Sequence, residues 1–226
     1  MGQLFLSGGG DSNQTRRLDR LFVAAIPKTK RLLYIPIAMP EKAHTMGACF
    51  DWFRKTMASY GFYKIDMWTD LSNRNYSDMH KYGSVYIGGG NTFSLLNSVR
   101  ESGFDKLLFK YFKSGGIIYG GSAGAIILGK HIGTAFFGGD SDKNLVRIKD
   151  LRGLNLAKDH VIQCHYSSKD DKDVVDFIRT HKASVIALPE NAGIVIAKGR
   201  IKTIGKVFLF KRMKNNVKKT IWKTPS

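Results

Sequence analysis

The sequence predicts an α/β fold in which a mainly parallel sheet carries helices on both faces. Short apolar runs alternate along the chain with stretches whose apolar residues recur at helical spacing, a pattern typical of such three-layer sandwiches. Glycine-rich loops follow several of the runs, and parallel sheets place their functional groups in these loops. At 226 residues the chain is long enough for one sizeable core, so we expect a single domain over residues 1–226.

The first half opens on an apolar strand at residues 4–6, which runs into a permissive Ser-Gly-Gly-Gly loop at residues 7–10. The following apolar residues recur every three or four positions until Pro27, which indicates an amphipathic helix that ends before a proline. The same two patterns repeat up to the glycine pair at residues 115–116. They predict strands at 32–37, 62–68 and 84–87, and helices at 18–25, 43–60, 92–99 and 104–113.

The second half continues with a strand at residues 117–119 and an apolar helix at 125–128. A glycine-rich connection follows, and then a strand at 161–164 that ends at His165. The remaining predicted elements are a helix at 172–180 and late strands at 184–188, 194–198 and 207–210. In a parallel sheet the loops after the strands meet at one edge, so those at 7–10, 88–91, 120–124 and His165 should converge.

Composition excludes several classes of protein. The uncharged run at residues 114–129 is shorter than a membrane span and broken by glycines, so it indicates buried core. The N-terminus has no basic start or cleavage region of a secretory signal. Two cysteines, Cys49 and Cys164, make no disulfide framework and fit a reducing cytoplasm. We therefore expect a cytoplasmic protein with no membrane partner.

The net charge of +18 is unusual for a globular domain and raises the hypothesis of a polyanion partner. Basic residues concentrate after residue 205, and we interpret residues 211–226 as a basic C-terminal tail. No nucleic-acid motif accompanies the charge, so we favour a solvated basic surface and expect no specific nucleic acid partner. The basic residues near the end are Lys206, Lys211, Arg212, Lys214, Lys218, Lys219 and Lys223.

Residues 117–128 carry the motif around which the rest of the chain is organised. The apolar strand ends in Gly-Gly-Ser-Ala-Gly at residues 120–124, which fits G-x-S-x-G, and the apolar helix follows. Strand, tight turn and helix are the context that a nucleophile elbow requires. Strained backbone then holds Ser122 clear of the sheet, while small neighbours let strand and helix approach closely. Such a turn can also cradle a phosphate, but we favour Ser122 as a nucleophile.

A serine nucleophile needs a base, and His165 is the best placed of the six histidines. It alone directly follows a buried-looking strand, at the edge where the loops converge. The neighbouring Cys164 should point to the opposite face of the sheet, which argues against it as a rival nucleophile. A zinc site built from His160, Cys164 and His165 would have the wrong spacing and lack a fourth ligand.

The Gly-Gly-Gly-Asn segment at residues 88–91 follows a strand and opens a helix beside the predicted nucleophile. An oxyanion hole needs two backbone donors near the serine. We predict that Gly89, Gly90 and Asn91, together with the N–H of Ala123, form this hole or bind the substrate.

The motifs at residues 86–96, 121–125 and 165–166 resemble, in order and spacing, those of the peptidase E and cyanophycinase family of serine peptidases. The likeness runs from residue 4 to residue 210. It implies a class I glutamine amidotransferase-like (flavodoxin-like) sandwich with a serine nucleophile and a histidine base, and with no metal or other cofactor. The best-known members are cytoplasmic dipeptidases that remove an N-terminal aspartate, and relatives act on aspartate-containing polymers.

Two residues are candidates for the acid that orients His165. Glu190 lies in Leu-Pro-Glu-Asn, which resembles the family's glutamate segment, and Asp140 lies in Gly-Gly-Asp-Ser, which resembles an aspartate segment. The orienting carboxylate should contact the imidazole nitrogen that does not face the serine. We favour Glu190 because it follows a buried-looking strand, whereas the loop of Asp140 could instead lie over the substrate.

We therefore expect one catalytic domain, monomeric or homodimeric, that hydrolyses short peptides through an acyl-enzyme, with dipeptides that begin with aspartate among the candidate substrates. Residues 167–173 hold no arginine, whereas aspartyl dipeptidases carry a Gly-Glu-Thr-Arg-like segment there. This departure puts a preference for aspartate at the N-terminal residue of the substrate in doubt, although Lys169 or Lys172 could hold a carboxylate as a point charge.

The alternative function is that of a catalytically silent or non-peptidase member whose basic surface binds a polyanion. A class I amidotransferase would place cysteine at the elbow.

Overall fold

The computed structural model describes residues 2–38, 45–139, 141–214 and 216–222. The strands are β1 (Gln3–Ser7), β2 (Arg31–Ile35), β3 (Ile65–Met67), β4 (Tyr82–Ile87), β5 (Ile117–Gly121), β6 (His160–Gln163), β7 (Ser184–Ala187), β8 (Gly193–Ala197), β9 (Arg200–Ile204), β10 (Val207–Arg212) and β11 (Val217–Trp222). The α-helices are α1 (Arg16–Ala25), α2 (Met46–Ala58), α3 (Tyr76–Met79), α4 (Thr92–Glu101), α5 (Phe104–Lys113), α6 (Ala123–Leu128) and α7 (Asp171–His181).

A seven-stranded sheet in the order β3-β2-β4-β5-β1-β8-β9 forms the centre of the molecule. The first five strands in this order are parallel to one another, β8 runs antiparallel to β1, and β9 runs antiparallel to β8. The neighbours β4, β5 and β1 therefore end at the same edge, where their following loops meet. This topology brings Gly89, Ser122 and the loop at residues 7–10 together, as the sequence predicts.

Helices cover both faces of this sheet, which confirms the predicted α/β class. Because side chains alternate along a strand, neighbouring residues enter different cores. Phe5, Tyr34 and Tyr119 are buried against α1 and α2 on one face, whereas Leu6 and Ile118 are buried with α4, α5 and α6 on the other.

A second, four-stranded sheet in the order β11-β10-β7-β6 packs α7 on its apolar face. Its strands β6 and β7 are parallel and end beside β1 of the first sheet. The N–H of His165 donates to the carbonyl of Gly8 at 2.8 Å, and the N–H of Gly8 donates to that of Ala192 at 2.9 Å. These bonds hold the loops after β6 and β7 against the edge that carries Ser122.

Residues 211–226 are interpreted from the sequence as a basic C-terminal tail, but their described part contains the end of β10 and the whole of β11, which pairs with β10. A lysine of β11 contributes to the packing of this strand through its charged end, because an ammonium group is attracted to the face of an aromatic ring. Lys219 lies over the ring of Tyr166, 5.5 Å from its centroid, and its ammonium pairs with Asp171 at 2.7 Å. The single-domain prediction for residues 1–226 itself remains a prediction.

Candidate active site

Ser122 stands at the junction between β5 and α6, in a backbone conformation that few residues adopt. Its φ of 48° and ψ of −114° place a non-glycine residue in a strained region of backbone space, of the kind that clusters at functional sites. The hydroxyl makes no capping bond to α6 and instead contacts His165, in the loop after β6. The local sequence thus produces the elbow geometry expected of G-x-S-x-G.

Gly120 and Gly124 allow β5 and α6 to lie close together. A Cβ on Gly124 would lie 2.3 Å from the carbonyl oxygen of Ile87, and one on Gly120 would lie 2.6 Å from the backbone of Gly124. Any larger residue would force β4, β5 and α6 apart. The glycines of the motif therefore have a packing role that is separate from the chemistry of Ser122.

His165 lies beside the serine, directly after β6. Its Nε2 is 2.8 Å from Oγ of Ser122, and its N–H bond to Gly8 holds the residue at a φ of 51°. The imidazole is about half exposed, with 49% of the side-chain surface accessible, so a substrate can reach the pair. The distance is that of a hydrogen bond suitable for proton transfer.

Glu190 contacts the other imidazole nitrogen, with Oε1 at 3.3 Å from Nδ1 of His165. Its second oxygen accepts a hydrogen bond from Nε2 of Gln14 at 3.1 Å. The bonds from Gln14 and from His165 hold the pKa of Glu190 below its usual value, because donors to the charged form favour ionisation. Asp140, the other predicted acid, lies outside the described residues.

Gln14 and Gly9 are residues of the site that sequence analysis did not single out. The Oε1 of Gln14 accepts the N–H of Asp11 at 2.8 Å, which fixes the amide so that its nitrogen faces Glu190. Gly9 has a φ of +102°, and a Cβ there would lie 2.5 Å from Nε2 of His165. The sequence could have pointed to them only through their position in the loop after β1, because nothing else distinguishes them from their neighbours.

Gly89 and Ala123 supply backbone donors next to the serine. A Cβ on Gly89 would lie 3.1 Å from Cβ of Ser122, and Ala123 is the residue that follows it. Among the described residues, neither of these two N–H groups has an acceptor. Two such donors flanking a hydroxyl can stabilise a negatively charged oxygen.

Asn91, by contrast, is engaged within the chain. Its side-chain oxygen accepts the N–H of Ser94 and so caps α4, its amide nitrogen donates to Lys143, and its backbone N–H donates to Ala38. This is the usual behaviour of an N-cap asparagine. The neighbouring Gly90, with a φ of +134°, lines a cavity beside Ser122.

Two cavities meet at Ser122. The first, which we call the aromatic cavity, has a volume of about 410 Å³ and includes Tyr34, Trp52 and Tyr86 in its lining. The second, the histidine-side cavity, has a volume of about 730 Å³ and includes His165 and Lys169. Both volumes lie within the range of small-ligand sites.

The two lysines predicted as possible carboxylate partners lie in different surroundings. Lys169 lines the histidine-side cavity, whereas Lys172 pairs with Asp176 at 2.8 Å on the exposed side of α7. Among the described residues that line the two cavities there is no arginine.

Cys164 lies under the site, buried, with its sulfur 3.5 Å from the backbone carbonyl of Ser122. Burial raises the pKa of this thiol well above its ordinary value, so it stays protonated and is a poor nucleophile. Among the described residues, no group of three or more His, Cys, Asp or Glu could hold a metal ion. No α-helix of the described chain is long and apolar enough to cross a membrane.

The fold and the site define an α/β protein in which serine, histidine and carboxylate form one hydrogen-bonded line at the carboxyl ends of the strands. A sequence profile of peptidase family S51 matches residues 4–204, and the chain belongs to that family. The resemblance to peptidase E that the sequence motifs carry is thereby confirmed.

Bacterial relatives match over a shorter stretch. An uncharacterised peptidase of Listeria monocytogenes is 31% identical over 133 residues, which cover 58% of this chain and 63% of that protein. A protein named peptidase E, from Pasteurella multocida, is 28% identical over 144 residues, or 58% of this chain and 59% of that protein. The matched part thus spans about three fifths of the length of these relatives.

Solved structures resemble the whole fold. A candidate peptidase E of Listeria monocytogenes superposes with a TM-score of 0.68 at 24% identity, covering 90% of this chain and 98% of that one. A peptidase from an acI-B1 Actinobacterium superposes with a TM-score of 0.70 at 17% identity, covering 98% and 97%. At these identities the likeness concerns the fold.

Proposed function

We propose that this protein is a serine peptidase of the peptidase E type that hydrolyses short peptides through an acyl-enzyme. The observation that carries the proposal is the continuous line from Ser122 Oγ to His165 Nε2 at 2.8 Å and from His165 Nδ1 to Glu190 at 3.3 Å. The two cavities of small-ligand size on either side of Ser122 support a short substrate.

In the first half of the proposed reaction, Oγ of Ser122 attacks the peptide carbonyl while Nε2 of His165 takes its proton. The carbonyl oxygen becomes negative and accepts hydrogen bonds from the N–H groups of Gly89 and Ala123. Collapse of this intermediate breaks the C–N bond, and the imidazolium gives its proton to the leaving amine.

In the second half, water attacks the acyl-enzyme, with His165 again taking a proton and returning it to Oγ of Ser122. Glu190 holds the imidazole tautomer that has its proton on Nδ1 and stabilises the positive charge that forms. Gln14 in turn holds Glu190, so it is a positioning residue and not a member of the reacting set.

Lys169 is the one lysine among the described residues that line the histidine-side cavity, which also include the carboxylates Asp142, Asp170, Asp173 and Glu190. The ammonium group of Lys169 can pair with the terminal carboxylate of the leaving amino acid as a point charge. An aspartate preference is not part of the proposal, since no arginine lines either cavity among the described residues.

The test combines a fluorophosphonate label with a dipeptide library, using the wild-type protein and Ser122→Ala. We expect the wild type to be labelled and to hydrolyse dipeptides, and Ser122→Ala to lose both properties while keeping its fold. His165→Ala should fall to a similar level, because members of a triad act as a unit. Turnover by clean Ser122→Ala protein would exclude Ser122 as the nucleophile, and an unreactive wild type would favour the non-peptidase alternative.

A further inference from the structure

The two cavities at Ser122 are chemically different, and only one of them contains His165. His165 lines the histidine-side cavity and is absent from the lining of the aromatic cavity. In the proposed reaction the leaving amine takes its proton from Nε2 of this residue, so it must lie on the histidine side. The residue whose carbonyl is attacked then directs its side chain away from His165, toward the aromatic cavity.

The walls of the aromatic cavity are held rigidly by ring packing. Tyr34 stacks on Phe53 with centroids 4.0 Å apart, and Tyr86 stacks on Tyr119 at 4.3 Å. Trp52, half exposed on α2, lines the same cavity. Aromatic walls that are fixed before binding favour a side chain that buries a large apolar surface.

The described lining of the aromatic cavity offers no cationic side chain to a carboxylate. No lysine, arginine or histidine lies among the described residues that line the aromatic cavity. The acid Asp19 is buried behind the lining residue Thr15, from whose hydroxyl it accepts a hydrogen bond at 2.7 Å, and it accepts another from Tyr119 at 2.7 Å. An anionic side chain placed here would lose its hydration without gaining a cationic partner among the described lining residues, which is strongly unfavourable.

We propose that the aromatic cavity is the specificity site for the acyl residue of the substrate and that it takes neutral, large side chains, namely phenylalanine, tyrosine, leucine or methionine. The preferred substrates are therefore peptides with such a residue on the amino side of the cleaved bond. This assignment rests on the proposed peptidase function and adds the class of substrate to it.

The experiment compares kcat/KM for a series of X-Leu dipeptides in which X is Phe, Leu, Ala or Asp, so that the leaving residue is constant. We expect the wild type to prefer Phe and Leu over Asp by about tenfold or more, since burying an ionised carboxylate without a cationic partner is costly. The decisive variant is Ala48→Trp, because Ala48 is exposed on α2 and lines the cavity. The added ring would fill the cavity without removing any core residue.

The readout for Ala48→Trp is the ratio of kcat/KM for Phe-Leu to that for Ala-Leu, which should fall by about tenfold or more when the pocket is filled. The matched control is Lys55→Trp, an exposed position on the same helix that lines a different cavity, and its ratio should equal that of the wild type. Fluorophosphonate labelling of Ser122 reports that each variant is folded.

A wild type that hydrolyses dipeptides but prefers Asp-Leu would overturn the assignment while leaving the peptidase proposal intact. So would an Ala48→Trp protein whose ratio matches that of Lys55→Trp. A wild type that neither hydrolyses any dipeptide nor takes the label refutes the peptidase function, and the assignment fails with it.

Discussion

At the scale of single residues, Gly9 is a position where adding one methyl group should disturb the geometry of the site. A Cβ there would lie 2.4 Å from Cε1 of His165, and the φ of +102° disfavours any side chain. We expect Gly9→Ala to displace the imidazole from Ser122 and to lower kcat by about 10²-fold, as a misplacement of about 1 Å can. Steady-state kinetics with circular dichroism as a folding check would measure this. An unchanged kcat in a folded variant would show that the site tolerates a side chain at Gly9 without displacement of His165.

Glu190 is the second residue for which a sharp result is expected. Glu190→Gln puts a donor beside Nδ1 of His165 and favours the wrong tautomer, a change that costs about 10⁴ in rate in the protease used as template for such triads. We expect it mainly to lower kcat. Asp140→Asn, in the loop predicted to lie over the substrate, should mainly raise KM. If the two phenotypes are exchanged, Asp140 holds the triad position.

At the scale of elements, the junction of β4, β5 and α6 depends on Gly124. The clash of a new Cβ with the backbone of Ile87, at 2.3 Å, should make Gly124→Ala less stable by about 1–3 kcal/mol, as overpacking does. Gly47 on α2 is the matched control, since a Cβ there would meet only one atom, at 4.0 Å. Gly47→Ala should be neutral or stabilising by up to about 1 kcal/mol. Urea denaturation of both variants tests the contrast, and equal stabilities would contradict it.

The contact of β11 with α7 should make stability depend on pH. Burial alone would raise the pKa of Asp171, but hydrogen bonds from Lys219 and Tyr166 more than offset this and lower it. A lowered pKa in the folded state stabilises the protein above the unfolded value and loses that contribution as pH falls through the folded value. Asp171→Asn should therefore reduce the free energy of unfolding at pH 7, by less than about 1 kcal/mol for so exposed a pair.

The same variant should lose its disadvantage progressively in acid, as pH falls below the ordinary pKa of aspartate, about 3.9, and through the lowered pKa of Asp171 in the folded protein. Asp173→Asn, an exposed acid in the same first turn of α7, is the control for the general effect of removing a charge there. A disadvantage of Asp171→Asn that persists in acid would mean that its cause is not the ion pair.

At the scale of the whole molecule, the net charge of +18 calls for a test of polyanion binding. Several of the cations have local acidic partners, as with Arg31 and Asp66 at 2.5 Å or Lys219 and Asp171 at 2.7 Å. We expect binding to oligonucleotides to be weak, independent of sequence and abolished by added salt. Fluorescence anisotropy with two unrelated oligonucleotides would measure it. Nanomolar affinity for one of them at physiological salt, typical of specific sites, would contradict this expectation.

The elements that the sequence predicts well are those whose signal is local. The helix expected at residues 104–113 has those bounds in the structure, because its apolar face repeats at helical spacing and glycines flank it. β11 was not predicted, since a strand rich in lysine lacks the apolar run that marks a buried strand. Its pairing with β10 depends on contacts to α7 and Tyr166 that a local pattern does not contain.

The sequence by itself determined the α/β class, the strained turn at Ser122 and the position of His165 at the end of a strand. These features depend on backbone preferences within a few residues, which local patterns of glycine and apolar side chains encode. Only the tertiary structure decided that β6 and β7 belong to a separate sheet, that Gln14 reaches Glu190 across 176 positions of sequence, and that one of the two cavities at Ser122 is aromatic. Such contacts depend on strand order and on the packing of distant segments, and no short stretch of the chain records them.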